Sequence, residues 1–199
     1  MSKEILQQLQ DRFGDAIESV HSQAGDDTAR VRRENWFALA AWLKDELGFD
    51  MFIDLTAVDY LRVASPKVPS PALIPFKSEF EREADNLPRF EVVLHLRSMN
   101  TGKRIRLKAR VAEKECSIAS LSTLWKGANW FERECHEFYG IDFIGHPDQR
   151  PLLLYPEFKG YPLRKDYPID KRQPLVNLRA PETRRFGRPM DETKHGHED

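Results

Sequence analysis

Acidic and imidazole side chains cluster in residues 130–150, where they could bind a metal ion or transfer protons. The candidates are Glu132, Glu134, His136, Glu137 and His146. A metalloprotease helix needs a second histidine four residues after the first, but that position is Gly140. On a helix, Arg133 lies four residues before Glu137 and Glu132 lies four before His136, so both pairs can interact. We therefore favour a charge network that holds a helix against a partner over metal or acid–base catalysis in this chain.

One helix is predicted to carry these side chains. Apolar residues recur three and four positions apart over residues 120–140 and define one buried stripe. The stripe consists of Leu121, Leu124, Ala128, Phe131, Cys135 and Phe138. Gly140 suits the helix end because glycine tolerates the left-handed conformation. Trp125, Trp130 and Glu134 fall off the stripe, so the helix has a second, aromatic face that is typical of contact with a partner.

The other patterns predict an α+β core over residues 1–146, with helices packed against a mixed or antiparallel sheet. The clearest pattern is a hairpin, because residues 90–96 and 105–111 alternate between apolar and other residues on either side of a turn at 100–102. Apolar periodicity predicts further elements: helices near 2–13 and 36–47, and strands near 17–21, 29–31 and 51–58. Asp54 and Asp59, in and just after the last of these strands, have no nucleophile or metal partner nearby in the sequence that would make them catalytic.

A row of cations follows one face of the return strand of the hairpin. It consists of Arg104, Arg106, Lys108 and Arg110. Such a row could bind the phosphates of a nucleic acid, but no aromatic residues alternate with it to stack on bases. We favour the simpler interpretation, the solvated face of an amphipathic strand.

Two proline-rich segments depart from this core. Residues 64–89 contain five prolines and are predicted to form an inserted surface loop. Residues 147–199 contain eight of the 13 prolines, and residues 150–188 carry ten Lys/Arg against four Asp/Glu. Apolar side chains remain scattered through this second segment, more than is typical of disorder. We therefore predict a long, extended, basic C-terminal arm that buries these side chains on another protein.

The composition is that of a soluble protein and excludes several classes of function. With 199 residues, 40% of them hydrophobic, the chain can bury one core. A net charge of −1 gives no general attraction to nucleic acid or membranes. No apolar run approaches a transmembrane span, and the charged, amphipathic start does not resemble a signal peptide. Two cysteines, Cys116 and Cys135, are too few for an iron–sulfur cluster, and no glycine-rich loop for NADH or flavin is present.

Four segments occur in an order that resembles a known family. The first two are residues 52–60 (FIDLTAVDY) and 89–98 (RFEVVLHLRS). The third lies within 130–150 (WFERECHEFYGIDFIGHPDQR), and the fourth is 160–168 (GYPLRKDYP), where Tyr161 stands at a position that is usually His. Together they resemble the 30 kDa subunit of respiratory complex I, called NuoC in bacteria, over about residues 30–176.

This resemblance implies a structural subunit of the proton-translocating NADH:quinone oxidoreductase, with no catalytic residue, cofactor or metal of its own. FMN, iron–sulfur clusters and quinone would belong to partner subunits. The main partner would be the 49 kDa subunit of complex I, which forms much of the quinone site, and the chain would lie peripherally on the cytoplasmic side of the cell inner membrane. The residues that match the family motifs, and are predicted to contact partners, are Trp130, Glu132, Arg133, Glu134, Glu137, Phe138, Tyr139, His146, Arg150, Leu163, Arg164, Lys165, Asp166 and Tyr167.

Two alternatives remain at this point. A membrane-bound hydrogenase that resembles complex I contains a corresponding subunit with the same motifs, so the motifs alone do not determine the electron donor. A free-standing basic adaptor could bind nucleic acid through strand 104–110 and the arm, although the near-neutral net charge disfavours it.

Overall fold

A mixed five-stranded sheet forms the centre of the fold in the computed structural model, which describes residues 2–23, 25–61 and 88–176. Its strands, in chain order, are β1 (Ile17–Gln23), β2 (Asp26–Val31), β3 (Met51–Asp59), β4 (Phe90–Arg97) and β5 (Arg104–Val111). Their order across the sheet is β1-β2-β5-β4-β3. The β2–β5 pair is parallel and the other pairs are antiparallel, which confirms a mixed sheet.

Three α-helices, a small second sheet and short 3-10 helices at Gly14–Ala16, Arg33–Asn35 and Glu113–Glu115 complete the described fold. The helices are α1 (Ser2–Phe13), α2 (Trp36–Asp45) and α3 (Ala128–Tyr139). The strands β6 (Ser117–Ala119) and β7 (Asp142–Ile144) pair in parallel on either side of α3 in the sequence. This order of elements confirms the predicted α+β class.

One face of the main sheet and the apolar sides of the helices share a single core. The predicted hairpin is confirmed: Phe90, Val92, Leu94 and Leu96 of β4 are fully buried. Leu9 of α1, Trp36 of α2 and Cys135 of α3 belong to the same cluster. Because alternate residues of a strand point to opposite faces, the polar residues of β4 and β5 lie on the other side of the sheet.

That opposite face is organised around a buried carboxylate, which changes the interpretation of the cation row. The side chain of Glu91 is inaccessible to solvent and lies 2.9 Å from Arg30 and 3.3 Å from Lys108. Tyr60 donates a hydrogen bond to the same carboxylate at 2.9 Å. Burial alone would raise the pKa of Glu91, but Lys108 and Arg30 outweigh that effect and lower it. Lys108 and Arg110 are thus largely buried around Glu91 rather than simply solvated.

Helix α3, which carries the motif residues, is shorter than predicted. It begins at Ala128 rather than near residue 120, and residues 121–127 form turns instead. The stripe deduced for a helix over 120–140 therefore does not apply to Trp125, which is 5% exposed and packs against Phe52 and Lys44. Gly140 ends the helix with a φ of 71°, as predicted.

Residues 147–176 form neither helix nor strand, as their prolines predict. The inserted loop predicted over 64–89 lies, apart from Pro88 and Arg89, outside the described residues. The same holds for the arm after residue 176.

Candidate functional site

The carboxyl group of Glu132 in α3 is fully buried and binds the turn that precedes the helix. It accepts hydrogen bonds of 2.6 Å from the Ser120 hydroxyl and from the Leu121 backbone N–H. Burial raises the pKa of Glu132 to about 7, although these two hydrogen bonds act in the opposite direction. The predicted pairing of Glu132 with His136 is therefore wrong, because the carboxyl group points into the protein. His136 lies instead near Ile141 and Asp142.

His146 lies beside Glu132 but does not neutralise it. The Asp148 backbone N–H donates to His146 Nδ1 at 3.0 Å, so that nitrogen carries no proton. The proton is then on Nε2, which is 3.1 Å from the Asn129 carbonyl oxygen and 4.0 Å from the Glu132 carboxyl. This arrangement is that of a neutral imidazole, and it joins the segment after β7 to the start of α3.

Arg133 and Glu137 bind the chain that follows the helix rather than each other. Arg133 donates to the backbone carbonyls of Arg150 at 2.8 Å and Pro151 at 3.0 Å. The Glu137 carboxylate accepts the backbone N–H groups of residues 152–154 at 2.8–3.1 Å. The predicted Arg133–Glu137 ion pair is therefore wrong. The physical reason is that both side chains find unpaired backbone groups, which proline-rich chain cannot satisfy by itself.

Three large apolar side chains near these contacts face solvent. Trp130, Ile144 and Leu153 are each 65% exposed. Trp130 follows Asn129, whose carbonyl oxygen binds His146, and Ile144 precedes His146 by two residues. Leu153 is one of the residues whose N–H binds Glu137. We call Trp130, Ile144 and Leu153 the signature surface.

Arg150 and Glu134 complete the placement of the motif residues around α3. The Arg150 guanidinium is largely exposed and pairs with Asp148 at 2.7 Å. Glu134 is partly exposed on the helix. Neither contributes to the buried contacts of Glu132.

A second cluster joins the arm to the core through Arg89. The Arg89 guanidinium makes two hydrogen bonds to Asp59, at 3.1 and 2.9 Å, and two to Asp166 of the arm, at 2.6 and 3.2 Å. Its fifth N–H donates to Glu113 at 2.5 Å. Hydrogen bonding to Arg89 lowers the pKa of Asp166. Burial alone would raise the pKa of Asp59, but its hydrogen bonds, led by that from Arg89, lower it.

Neighbouring arm residues add backbone and ring contacts. Arg164 donates to the Tyr139 carbonyl at 2.6 Å, and its guanidinium lies 5.0 Å from the Phe90 ring centroid and 4.4 Å from that of Tyr161. The backbone N–H of Leu163 donates to the Phe138 carbonyl at 3.2 Å. Phe138 and Tyr139 of the motif thus bind the arm through backbone oxygens.

The last aromatic residue of the motif lies farther along the arm. The Tyr167 ring stacks on Phe158 with centroids 6.2 Å apart, and Lys171 lies 5.0 Å from the Tyr167 centroid. Tyr167 therefore packs within the arm itself, and the described contacts to the core come from the residues that precede it.

Many of the predicted motif residues therefore belong to two groups of contacts, one made by α3 and one beside Arg89, whereas the side chains of Trp130, Glu134, Arg150 and Tyr167 lie outside both. Sequence reasoning missed the roles of Asp59, which it considered only as a catalytic carboxylate and rejected, and of Arg89 and Ser120. The first two lie in segments that resemble the family, which is the signal that could have identified them. The arm is predicted to bury its side chains on another protein, yet Lys165 donates its N–H to Asp59 of the core at 2.8 Å and Asp166 binds Arg89.

The contacts described above are hydrogen bonds, ion pairs and ring contacts within the chain. Among the described residues, no three His, Cys, Asp or Glu side chains come together in a way that could hold a metal ion. No helix in the described ranges has the length and apolar character needed to cross a membrane.

Comparison with known proteins relates this geometry to one family. The profile of the family described as respiratory-chain NADH dehydrogenase, 30 Kd subunit, matches residues 29–173. The NuoC subunit of NADH-quinone oxidoreductase from Trichlorobacter lovleyi is 38% identical over 164 residues, which are 82% of this chain and 88% of that protein. The corresponding NuoC protein from Legionella pneumophila is 38% identical and covers 83% of this chain and 77% of its own length.

Two solved structures share the fold. One is the trypsin-resistant fragment (1-134) of Nqo5, with a TM-score of 0.55, 26% identity and coverage of 74% of this chain and 99% of the fragment. The other is a chain of the membrane-bound sulfane sulfur reductase, an archaeal respiratory membrane complex, with a TM-score of 0.62, 21% identity and coverage of 84% and 85%. The profile match and the identity to NuoC proteins over most of both chains agree with the order of the four motifs, and the chain therefore belongs to the 30 kDa subunit family of respiratory-chain NADH dehydrogenase.

Proposed function

We propose that this chain is a structural, cofactor-free subunit of the hydrophilic arm of a proton-translocating NADH:quinone oxidoreductase. In this role it braces the 49 kDa subunit, which forms much of the quinone site, while FMN, iron–sulfur clusters and quinone are held by other subunits. The complex would place the chain peripherally on the cytoplasmic side of the cell inner membrane. Family membership supports this proposal, as does the use of the motif's polar groups for internal contacts.

The exposed signature surface is the observation that carries the proposal. A tryptophan of α3, an isoleucine of β7 and a leucine of the segment bound by Glu137 are all 65% exposed, whereas the buried polar groups of α3 make hydrogen bonds within the chain. Exposed apolar groups of this kind are typical of binding sites, and tryptophan is enriched among the residues that dominate binding energy. The motif thus holds a rigid platform together and leaves its apolar residues available to a partner.

Co-purification of the complex with a tagged copy of this chain tests the proposal. We expect Trp130→Ala to lower recovery of the 49 kDa subunit on the order of tenfold or more, because truncating a buried interface tryptophan removes a large contact. The matched control is Met99→Ala, since Met99 is 60% exposed, lies in the turn between β4 and β5 and is not one of the motif residues. Equal recovery of the 49 kDa subunit with both variants would refute a role of the signature surface in assembly.

The two alternatives receive less support. The described cations of β5 include Lys108 and Arg110, which are engaged with Glu91 rather than arranged to bind phosphates. For the hydrogenase alternative, the likeness to the archaeal complex at 21% identity concerns the fold alone. The relatives named as parts of NADH-quinone oxidoreductase favour NADH as the donor, and NADH oxidation by the purified complex tests that choice.

A further inference from the structure

The contacts of Arg89 bear on how the arm is held before assembly. We propose that residues 161–167, called the strap below, are docked on the chain's own core in the free subunit, with Arg89 as the anchoring residue. The inference deepens the proposed function, because the strap belongs to the arm that is proposed to contact a partner. It is nevertheless a property of the chain alone.

The hydrogen-bonding capacity of Arg89 is the first argument. A guanidinium has five N–H donors, and in this structure two bind Asp59, two bind Asp166 and one binds Glu113. The Arg89 side chain is only 7% exposed. Undocking the strap would leave two donors of a buried cation without their partners, which is costly.

Asp59 supplies the second argument. Its side chain is fully buried, and its two oxygens accept four hydrogen bonds, two from Arg89 and one each from the backbone N–H groups of Leu61 and Lys165. The Lys165 bond comes from the strap at 2.8 Å. A buried carboxylate is stable only when its acceptor sites are occupied, so the core itself gains from a docked strap.

The third argument is the shape of the core beside the strap. A Cβ atom built on Gly140 would lie 2.5 Å from the Tyr161 ring and 2.7 Å from the Arg164 guanidinium. The helix end thus provides a space that the strap fills. Arg164 then packs on the Phe90 ring and donates to the Tyr139 carbonyl.

The exposure of apolar side chains differs between the strap and the residues that follow it. Beyond the strap, Ile169 and Leu175 are fully exposed and Val176 is 48% exposed, whereas Tyr161 and Leu163 of the strap are 38% and 49% exposed. A strap that is docked in the free subunit has already lost conformational entropy when a partner binds. Preorganisation of this kind lowers the cost of binding.

Hydrogen–deuterium exchange of the full free chain, read by mass spectrometry, tests the strap. We expect the amides of residues 161–167 to exchange on the order of tenfold more slowly than those of residues 172–176, because the Leu163 and Lys165 N–H groups are bonded to the core. Asp166→Asn removes one acceptor and the charge that faces Arg89, and should abolish most of this difference while leaving exchange in α3 unchanged.

The matched control is Asp170→Asn, which makes the same chemical change four residues later on an exposed part of the arm and should leave the strap protected. Strap amides that exchange as fast as residues 172–176 in the unaltered chain would overturn the proposal. Full protection in Asp166→Asn would overturn the role of Arg89. Since the free chain is measured, either failure leaves the partner-binding proposal intact, and loss of partner by Trp130→Ala would not affect strap docking.

Discussion

At the scale of single residues, two fully buried carboxyl groups behave in opposite ways. Asp59 faces the Arg89 guanidinium and two backbone N–H groups, which lower its pKa despite burial. Glu132 faces a hydroxyl and one backbone N–H, and the adjacent His146 brings no charge because its Nδ1 accepts a hydrogen bond from the Asp148 N–H and therefore carries no proton. Burial therefore dominates at Glu132 and raises its pKa to about 7.

Glu132 should make the stability of the chain depend on pH near neutrality. Its pKa in the folded state is raised from 4.5 to about 7, so the folded state holds the proton more tightly than the unfolded state. The resulting stability is complete below the unfolded pKa and is lost as the pH rises through the folded pKa. Between about pH 6 and pH 8 we expect a loss of about 1 kcal/mol in the free energy of unfolding, or about 2–4 °C in Tm.

Thermal unfolding of the unaltered chain and of Glu132→Gln measures this effect. Glutamine keeps the shape of the side chain and cannot ionise, so the fall in Tm across this range should disappear in the variant. Glu134→Gln, on the same helix, is the control and should keep the pH dependence of the unaltered chain. A Glu132→Gln variant with the same pH dependence would show that another group is responsible.

At the scale of secondary structure, the sequence predicts a helix or strand correctly where its apolar residues follow the period of that element. The hairpin of β4 and β5 is predictable because apolar residues alternate on both strands. The start of α3 is not, because Glu132 binds the Ser120 and Leu121 groups and holds residues 121–127 in turns. A helical periodicity through residue 120 cannot reveal that the Leu121 N–H binds a glutamate eleven residues later.

Gly140 ends α3 and lies against the strap. Its replacement by alanine tests backbone strain and steric contact with the strap. Gly140→Ala should destabilise the chain through its φ of 71° and through the clash with Tyr161 at 2.5 Å. The control Gly102→Ala has a φ of 69° with no atom within 4 Å, so it reports the backbone strain alone. We expect Gly140→Ala to cost about 1–3 kcal/mol more than Gly102→Ala in urea unfolding. An equal loss in the free energy of unfolding for both variants would mean that the strap does not contact this position.

At the scale of the whole molecule, the two clusters make the core and the beginning of the arm one unit. Glu137 holds residues 152–154 and Arg89 holds Asp166, so the chain after β7 is bound at two points. The sequence indicates the lack of regular structure in this segment through its prolines. It cannot indicate that Lys165 meets Asp59 across 106 positions, because such a contact depends on the complete fold.

The whole chain should also be colourless when purified alone. The described residues hold no metal-binding cluster, and the full sequence contains only two cysteines, whereas an iron–sulfur cluster commonly needs four thiolates. Visible absorbance spectroscopy and iron analysis of the purified chain check this prediction. Stoichiometric flavin or iron would contradict a purely structural role.

The most direct test of the central claim is oxidative footprinting of the signature surface in the free chain and in the assembled complex. Trp130 and Met99 are both readily oxidised and similarly exposed, at 65% and 60%, so each can be compared with itself in the two states. If α3 presents its apolar residues to a partner subunit, oxidation of Trp130 should fall several-fold on assembly while oxidation of Met99 stays constant. Equal oxidation of Trp130 in the free chain and in the complex would contradict the proposed role of this surface.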